Sequence, residues 1–189
     1  MARCYSDAMR PRQPLRSGSL PSLWLVSDAR NDAGLEAALR RLPRGSGLVF
    51  RHYHLDRAPR RARFLALARV ARALGHLVVL SGTARQARRW GADGAYGPPE
   101  ALARGPACLR LVTVHGLREI AKSRRADALI LSPVYATRSH PGARGLGPLR
   151  FRLMAAQAPH PVLALGGMTL RSARSLRPDG WAAIDGLSP

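Results

Sequence analysis

From Leu23 onward, short runs of consecutive apolar residues alternate with Ala/Leu/Arg segments that are apolar on one side only. Leu23–Val26, Gly47–Phe50, Leu77–Leu80, a very short run within Gly91–Tyr96, Leu109–Val112, Ala128–Leu131, Val162–Leu165 and Trp181–Ile184 read as eight strands buried on both faces. Between them, Asp32 to Leu42 reads as a helix with Leu35, Ala38, Leu39 and Leu42 on one face. A second helix starts at Asp56 as N-cap, carries Pro59 in its first turn, and runs past Phe64, Leu67, Ala68 and Ala71 to a stop at Gly75. Thr83–Trp90, Gly116–Arg125, Pro148–Gln157 and Thr169–Leu176 continue the series, and the fourth unit barely has a helix. Eight apolar strands, each followed by a helix, predict a small (β/α)8 barrel rather than an open doubly wound sheet. The core is expected from Leu25, Val49, Val78, Val112, Leu129, Leu131, Leu163 and Ile184.

The end of the chain adds an expectation about assembly. Pro189 follows the eighth strand so closely that the last helix is truncated or missing. The groove between helices seven and one is therefore expected to expose apolar wall. It would be covered by the N-terminal segment, through Leu15, Leu20 and Pro21, or by a second subunit, and the homodimer is favoured.

A length of 189 residues suits one domain, at 46% hydrophobic residues. Net charge is +20, but Lys122 is the only lysine, and the arginines are dispersed over many helices instead of forming one stripe. With aromatics at 5% and no RNA-stacking motif, a nucleic-acid partner is not expected. Cys4 and Cys108 form neither metal spacing nor a disulfide framework, which fits a reducing cytoplasm. No apolar run reaches transmembrane length, so no membrane partner is expected. Residues 1–20 are rich in Arg, Pro and Ser and lack a signal-peptide core. They read as a disordered extension, or as a start placed too early with Met9 the true one, ahead of a barrel domain at 21–189.

The densest chemistry lies after the sixth and seventh strands. Ala128–Leu131 stops at Ser132-Pro133 and opens into a loop with Thr137, Arg138, Ser139, His140 and Arg144. Then Val162–Leu165 runs into Gly166, Gly167 and Thr169, a strand, paired glycines and a helix N-cap. Two adjacent junctions of this kind point to a phosphate-binding barrel rim.

Five stretches carry a family resemblance: Leu23-Trp-Leu-Val-Ser-Asp, Gly91-Ala-Asp-Gly-Ala-Tyr, Val112-Thr-Val-His, Asp127-Ala-Leu-Ile-Leu-Ser-Pro-Val-Tyr-Ala-Thr and Ala164-Leu-Gly-Gly-Met-Thr. In this order and spacing they resemble the thiamine phosphate synthase/TenI family over about Leu23 to Gly186. The resemblance implies thiamine biosynthesis and action on a thiazole phosphate, either coupled to a pyrimidine diphosphate or tautomerised. Coupling releases pyrophosphate, for which family synthases use cations and Mg²⁺. Arg51 falls on the arginine of the family Gln-x-Arg-x-Lys motif, with Val49 and Tyr53 at the other two positions. Ser81-Gly82 stands at the family Asn-Asp, so Gly82 replaces a metal ligand, and Glu100 falls near the second metal carboxylate. Thr137 and Ser139 keep the hydroxyls of the Thr-x-Thr-Lys loop, and His140 replaces its lysine. Gly166, Gly167 and Gly186 fall on phosphate-binding amides, beside an Asp185 that Arg138 or Arg144 would have to neutralise.

His115 sits where TenI-type thiazole tautomerases place their histidine, and imidazole suits proton transfer near neutral pH. Capping of the next helix is its other reading. Two functions stay open: an enzyme, transferase or isomerase, and a catalytically silent phosphate-ligand barrel acting as sensor or partner subunit.

Overall fold

The computed structural model describes residues 20–138, 142 and 144–187. Positions 1–19, 139–141, 143, 188 and 189 lie outside them, including Cys4, Leu15, Ser139 and His140. Eight parallel strands pair in sequence order and close into a barrel. They are β1 (Leu23–Val26), β2 (Gly47–Phe50), β3 (Leu77–Ser81), β4 (Gly94–Gly97), β5 (Leu109–Val114), β6 (Ala128–Leu131), β7 (Val162–Ala164) and β8 (Gly180–Ala183). β8 returns beside β1, with Leu25 opposite Ala183. Seven helices surround them among the described residues: α1 (Leu35–Arg41), α2 (Arg57–Ala73), α3 (Ala84–Trp90), α4 (Pro99–Leu102), α5 (Leu117–Lys122), α6 (Gly147–Ala155) and α7 (Leu170–Leu176). No described helix is long and apolar enough to cross a membrane.

Because successive side chains of a strand point to opposite faces, each strand feeds two shells. Trp24, Val26, Val49, Val79, Leu111, Ile130, Leu163 and Ala182 fill the barrel axis. Leu25, Leu48, Phe50, Val78, Leu80, Leu129 and Leu131 face outward and pack with helix residues such as Leu39, Phe64 and Leu67. The eight expected core residues are all buried. They divide between the shells: Val49, Leu163 and Ile184 point inward, and the other five point to the helices. Gly47 is required inside, because a Cβ there would run into the Trp24 ring.

Three aspartates tie strand pairs together at the N-terminal end. Asp93, Asp127 and Asp179, each one residue ahead of a strand, accept the backbone N–H of Val78 (2.8 Å), Arg110 (2.7 Å) and Val162 (2.8 Å). The short fourth helix has its own support. The buried Arg110 donates to the carbonyls of Leu102 (3.0 Å), Pro106 (2.9 Å) and Gly105 (3.3 Å), so one guanidinium satisfies the irregular β4–β5 connection.

Several expectations need correction. The first helical segment begins earlier, as a 3-10 turn over Ala29–Gly34, because Asp28 accepts from Arg30 N at 3.3 Å and Asn31 accepts from Asp28 N at 2.8 Å. Asp56 holds the N-cap position of α2 without a side-chain cap hydrogen bond. α5 ends at Lys122, where the Ser123 hydroxyl donates back to Glu119 O at 2.6 Å. Of the N-terminal residues expected to cover the α7/α1 groove, Leu15 lies outside the described residues. Leu20 packs against the inner shell, and the Trp24 indole donates to Pro21 O at 2.6 Å, so this segment seals the N-terminal end of the barrel. At the groove, Ala183 is buried, while Trp181 and Leu187 are half-buried against the outer shell. The exposed large apolar residues include Leu149 and Leu153 on α6 and Leu170 at the start of α7.

Leu163 lies on the axis against Gly180. Leu163→Ala is expected to lower unfolding free energy by ~2–5 kcal/mol through the cavity it leaves, measured by urea denaturation. A loss under about 1 kcal/mol would mean that the interior is not close-packed there.

Candidate active site at the C-terminal mouth

The same inward parity, carried past the strand ends, brings polar groups to the mouth. Arg51 and Tyr53 follow β2, Ser81 ends β3, Thr113 and His115 end and follow β5, and Ser132 follows β6. They line a cavity of about 550 Å³ with Arg60, Gln86, Thr137 and Gly166. A smaller cavity of about 350 Å³ is lined by Gly166, Gly167, Thr169, Arg138, Asp185 and Gly186, and it shares Thr137, Leu165, Gly166 and Ile184 with the first.

Arg51 reaches the cavity, but its charge is balanced. Its Nη2 lies 2.5 Å from Asp28 Oδ2, and its Nε donates to Ser27 O at 3.2 Å. Burial alone would raise the Asp28 carboxyl. Hydrogen bonds from Arg30 and the charges of Arg51 and Arg30 outweigh that and hold it below its ordinary value.

The turn that aims Arg51 and Tyr53 inward is built on His52, buried and at φ 41°. Its ring stacks on Phe50 at 4.5 Å. Nε2 lies 2.8 Å from Asp32 Oδ1, and Nδ1 lies 2.8 Å from Ser27 Oγ, which accepts the Arg51 N–H at 2.8 Å. In a neutral ring, Nε2–H donates to the carboxylate and the serine hydroxyl donates to Nδ1. This Ser-His-Asp chain is a brace for the turn and lines neither cavity.

His115 is exposed to the cavity. Its Nδ1 lies 2.7 Å from Ser132 O, and since a carbonyl only accepts, Nδ1 carries the hydrogen and the neutral ring has its lone pair on Nε2. The ring therefore does not cap α5. Ahead of the N-cap Gly116, the Glu119 carboxylate accepts the His115 backbone N–H.

Gly166 (φ 98°) and Gly167 (φ 60°) turn the chain under the β6–α6 loop. A Cβ on Gly166 would lie 2.7 Å from Pro133 Cα. Their amides donate to no described residue. Thr169 caps α7, with its Oγ1 accepting from Ser172 N at 3.2 Å and Ser172 Oγ accepting from Thr169 N at 2.8 Å. Asp185 is neutralised by Arg138 (3.6 Å) and by Arg30 (3.5 Å), while Arg144 is exposed and lines neither cavity.

The mouth thus brings together Arg51, His115, Thr137, Gly166, Gly167 and Gly186. It leaves out Arg144 and Glu100, which is exposed with its Oε1 3.9 Å from Lys122 Nζ. Sequence reading missed Arg30, Asp28 and Arg60, whose roles arise from tertiary contacts. Among the described residues no Asp or Glu lines the larger cavity, Gly82 stands on its wall, and no cluster of three metal-ligating side chains is found, so the wall offers no carboxylate ligand of the kind Mg²⁺ uses.

Burial lowers the pKa of His52 below its ordinary 6.5, against the opposing pull of Asp32. The native state thus favours the neutral ring, so this contribution to stability is present above pH ~6.5 and is lost as pH falls through the lowered folded value. His52→Gln is expected to lose less stability than the wild type between pH 7 and pH 5 in urea unfolding. Equal losses would assign the acid sensitivity to other groups.

The sequence matches the family profile described as thiamine monophosphate synthase over residues 23–187. Among curated proteins, none matches in sequence. A thiamine phosphate pyrophosphorylase from Pyrococcus furiosus is similar in structure, with TM-score 0.73 and 23% identity over 88% of this chain and 86% of that one. A thiamine phosphate pyrophosphorylase from Bacteroides thetaiotaomicron gives 0.58 and 13% over 87% and 82%. An HpcH/HpaI aldolase/citrate lyase family protein from Burkholderia cenocepacia gives 0.62 and 17% over 91% of each. At these identities the structural likenesses speak for the barrel fold alone. The profile spans nearly the whole described barrel, strands, mouth and glycine pair included, and the chain belongs to the thiamine monophosphate synthase family.

Proposed function

We propose that this protein acts on a thiazole phosphate as a tautomerase-type isomerase. The phosphate sits on the amides of Gly166 and Gly167 beside Thr137, and the ring lies in the larger cavity facing His115. The observation that carries this reading is the His115 Nδ1–Ser132 O hydrogen bond, which leaves the Nε2 lone pair available to take a proton. Tautomerisation moves one proton from one ring atom to another, so a single imidazole can accept it as Nε2 lone pair and return it as Nε2–H. No charged leaving group forms, which suits a cavity wall whose described residues include no carboxylate.

A second reading, a silent barrel that binds the same phosphate as sensor or partner subunit, draws on Asp185, a carboxylate at the wall of the smaller cavity. Synthase chemistry, joining the thiazole phosphate to a pyrimidine diphosphate, is the third outcome that the assay below separates.

His115→Ala is expected to lower thiazole tautomerisation by ~10²–10⁴-fold while leaving thiazole phosphate affinity within about a few-fold. Unchanged turnover would remove His115 from the chemistry. Tight binding with no turnover by the wild type would establish the silent barrel. Pyrophosphate release on adding the pyrimidine diphosphate would establish the synthase.

A further inference from the structure

Two arginines enter the larger cavity from the β2 side, and they differ in what balances them. Arg51 is paired with Asp28. Arg60, in the first turn of α2, has no carboxylate partner among the described residues. Its Nε donates to Arg51 O and its Nη2 to Ser81 O, both at 2.8 Å. Its guanidinium lies 5.5 Å from the Trp90 ring centroid, 5.7 Å from Tyr53 and 5.9 Å from Phe50. Carbonyls and ring faces orient this cation without neutralising it. Two of the five guanidinium N–H donors are used, and Arg60 lines the cavity. Burial lowers its pKa, yet the group stays charged at any pH at which the protein is folded.

Among the described residues the rest of that wall has no negative charge. Ser81, Gly82, Thr83 and Gln86 continue it, and Gly82 stands where the family resemblance places a metal carboxylate. A partly buried cation held without a counter-ion at the wall of a cavity attracts an anion from solution. In the barrel order this wall is β3, four strands from the Gly166–Gly167 turn after β7, so it is a separate place for negative charge.

We propose that Arg60 does here the work of a metal ion: it binds a phosphate or diphosphate group directly, at a second anion subsite across the mouth from the glycine pair, and needs no divalent cation. This rests on the reading of the barrel as a phosphate-ligand protein but not on the role of His115.

The test is calorimetric titration of the full chain with inorganic pyrophosphate, in EDTA and in Mg²⁺. Binding is expected to persist in EDTA and to weaken at least about tenfold in Arg60→Gln, as loss of a charge-assisted contact implies. Arg60→Gln removes two carbonyl contacts and is checked by thermal unfolding. Gln86→Glu, nearly isosteric, puts a carboxylate on the same wall and is expected to weaken binding comparably. Arg57→Gln removes an exposed charge of the same helix turn and is expected to change little. Binding that requires Mg²⁺, an unaffected Arg60→Gln or Gln86→Glu, an equal loss in Arg57→Gln, or no binding by the wild type would each overturn the proposal. Pyrophosphate binding without thiazole phosphate binding would overturn the proposed function and leave this subsite standing.

Discussion

Closure of eight parallel strands around one axis is the constraint from which the site follows. Once β8 pairs with β1, every second side chain of every strand must enter a narrow interior. Trp24 fills it at the N-terminal end, where Gly47 makes room for its ring and Leu20 and Pro21 seal it. At the other end the same alternation continues beyond the apolar layers, so Arg51, Ser81, Thr113, His115 and Ser132 meet in one cavity although they are far apart in sequence. The site is the top of the barrel's inward-facing set of residues, and the aspartates that clamp strand pairs at the bottom keep it in register.

Charge is organised in the same geometric way. Asp28 and Asp185 neutralise Arg51, Arg138 and part of Arg30, on the β8–β1–β2 side of the mouth. Among the described residues the Arg60 wall has no such partner, and the amides of the glycine turn after β7 donate to none of them. Between the two positive regions lies His115, whose Nδ1 is engaged by the Ser132 carbonyl and whose Nε2 is left toward the cavity. A strongly basic chain thereby concentrates useful positive character at two places, while many of its other described arginines are exposed on helices and loops.

Much of the fold was legible from apolar runs. Leu23–Val26, Gly47–Phe50 and Ala128–Leu131 coincide with β1, β2 and β6, because a strand buried on both faces has no polar position to blur its ends. That same uniformity hid which way each residue points, so Leu25 and Val49 looked alike although one faces the helices and the other the axis. At the site, His115, Thr137 and the glycine pair stood out because they lie in short motifs next to strand ends. Arg60 did not: it is one arginine among 30, and only tertiary contact with Tyr53, Trp90 and the Ser81 carbonyl distinguishes it. Arg144 carried the opposite signal, a loop cation between glycines that the fold leaves in solvent.

The central claim is that one ligand spans the glycine turn and His115. A crystal structure of the protein with thiazole phosphate tests it most directly. The account predicts the phosphate within hydrogen-bond distance of the Gly166 and Gly167 amides and a ring atom within reach of His115 Nε2. A phosphate seated elsewhere, or a ring turned away from His115 with Asp185 occupying the glycine turn, would contradict it.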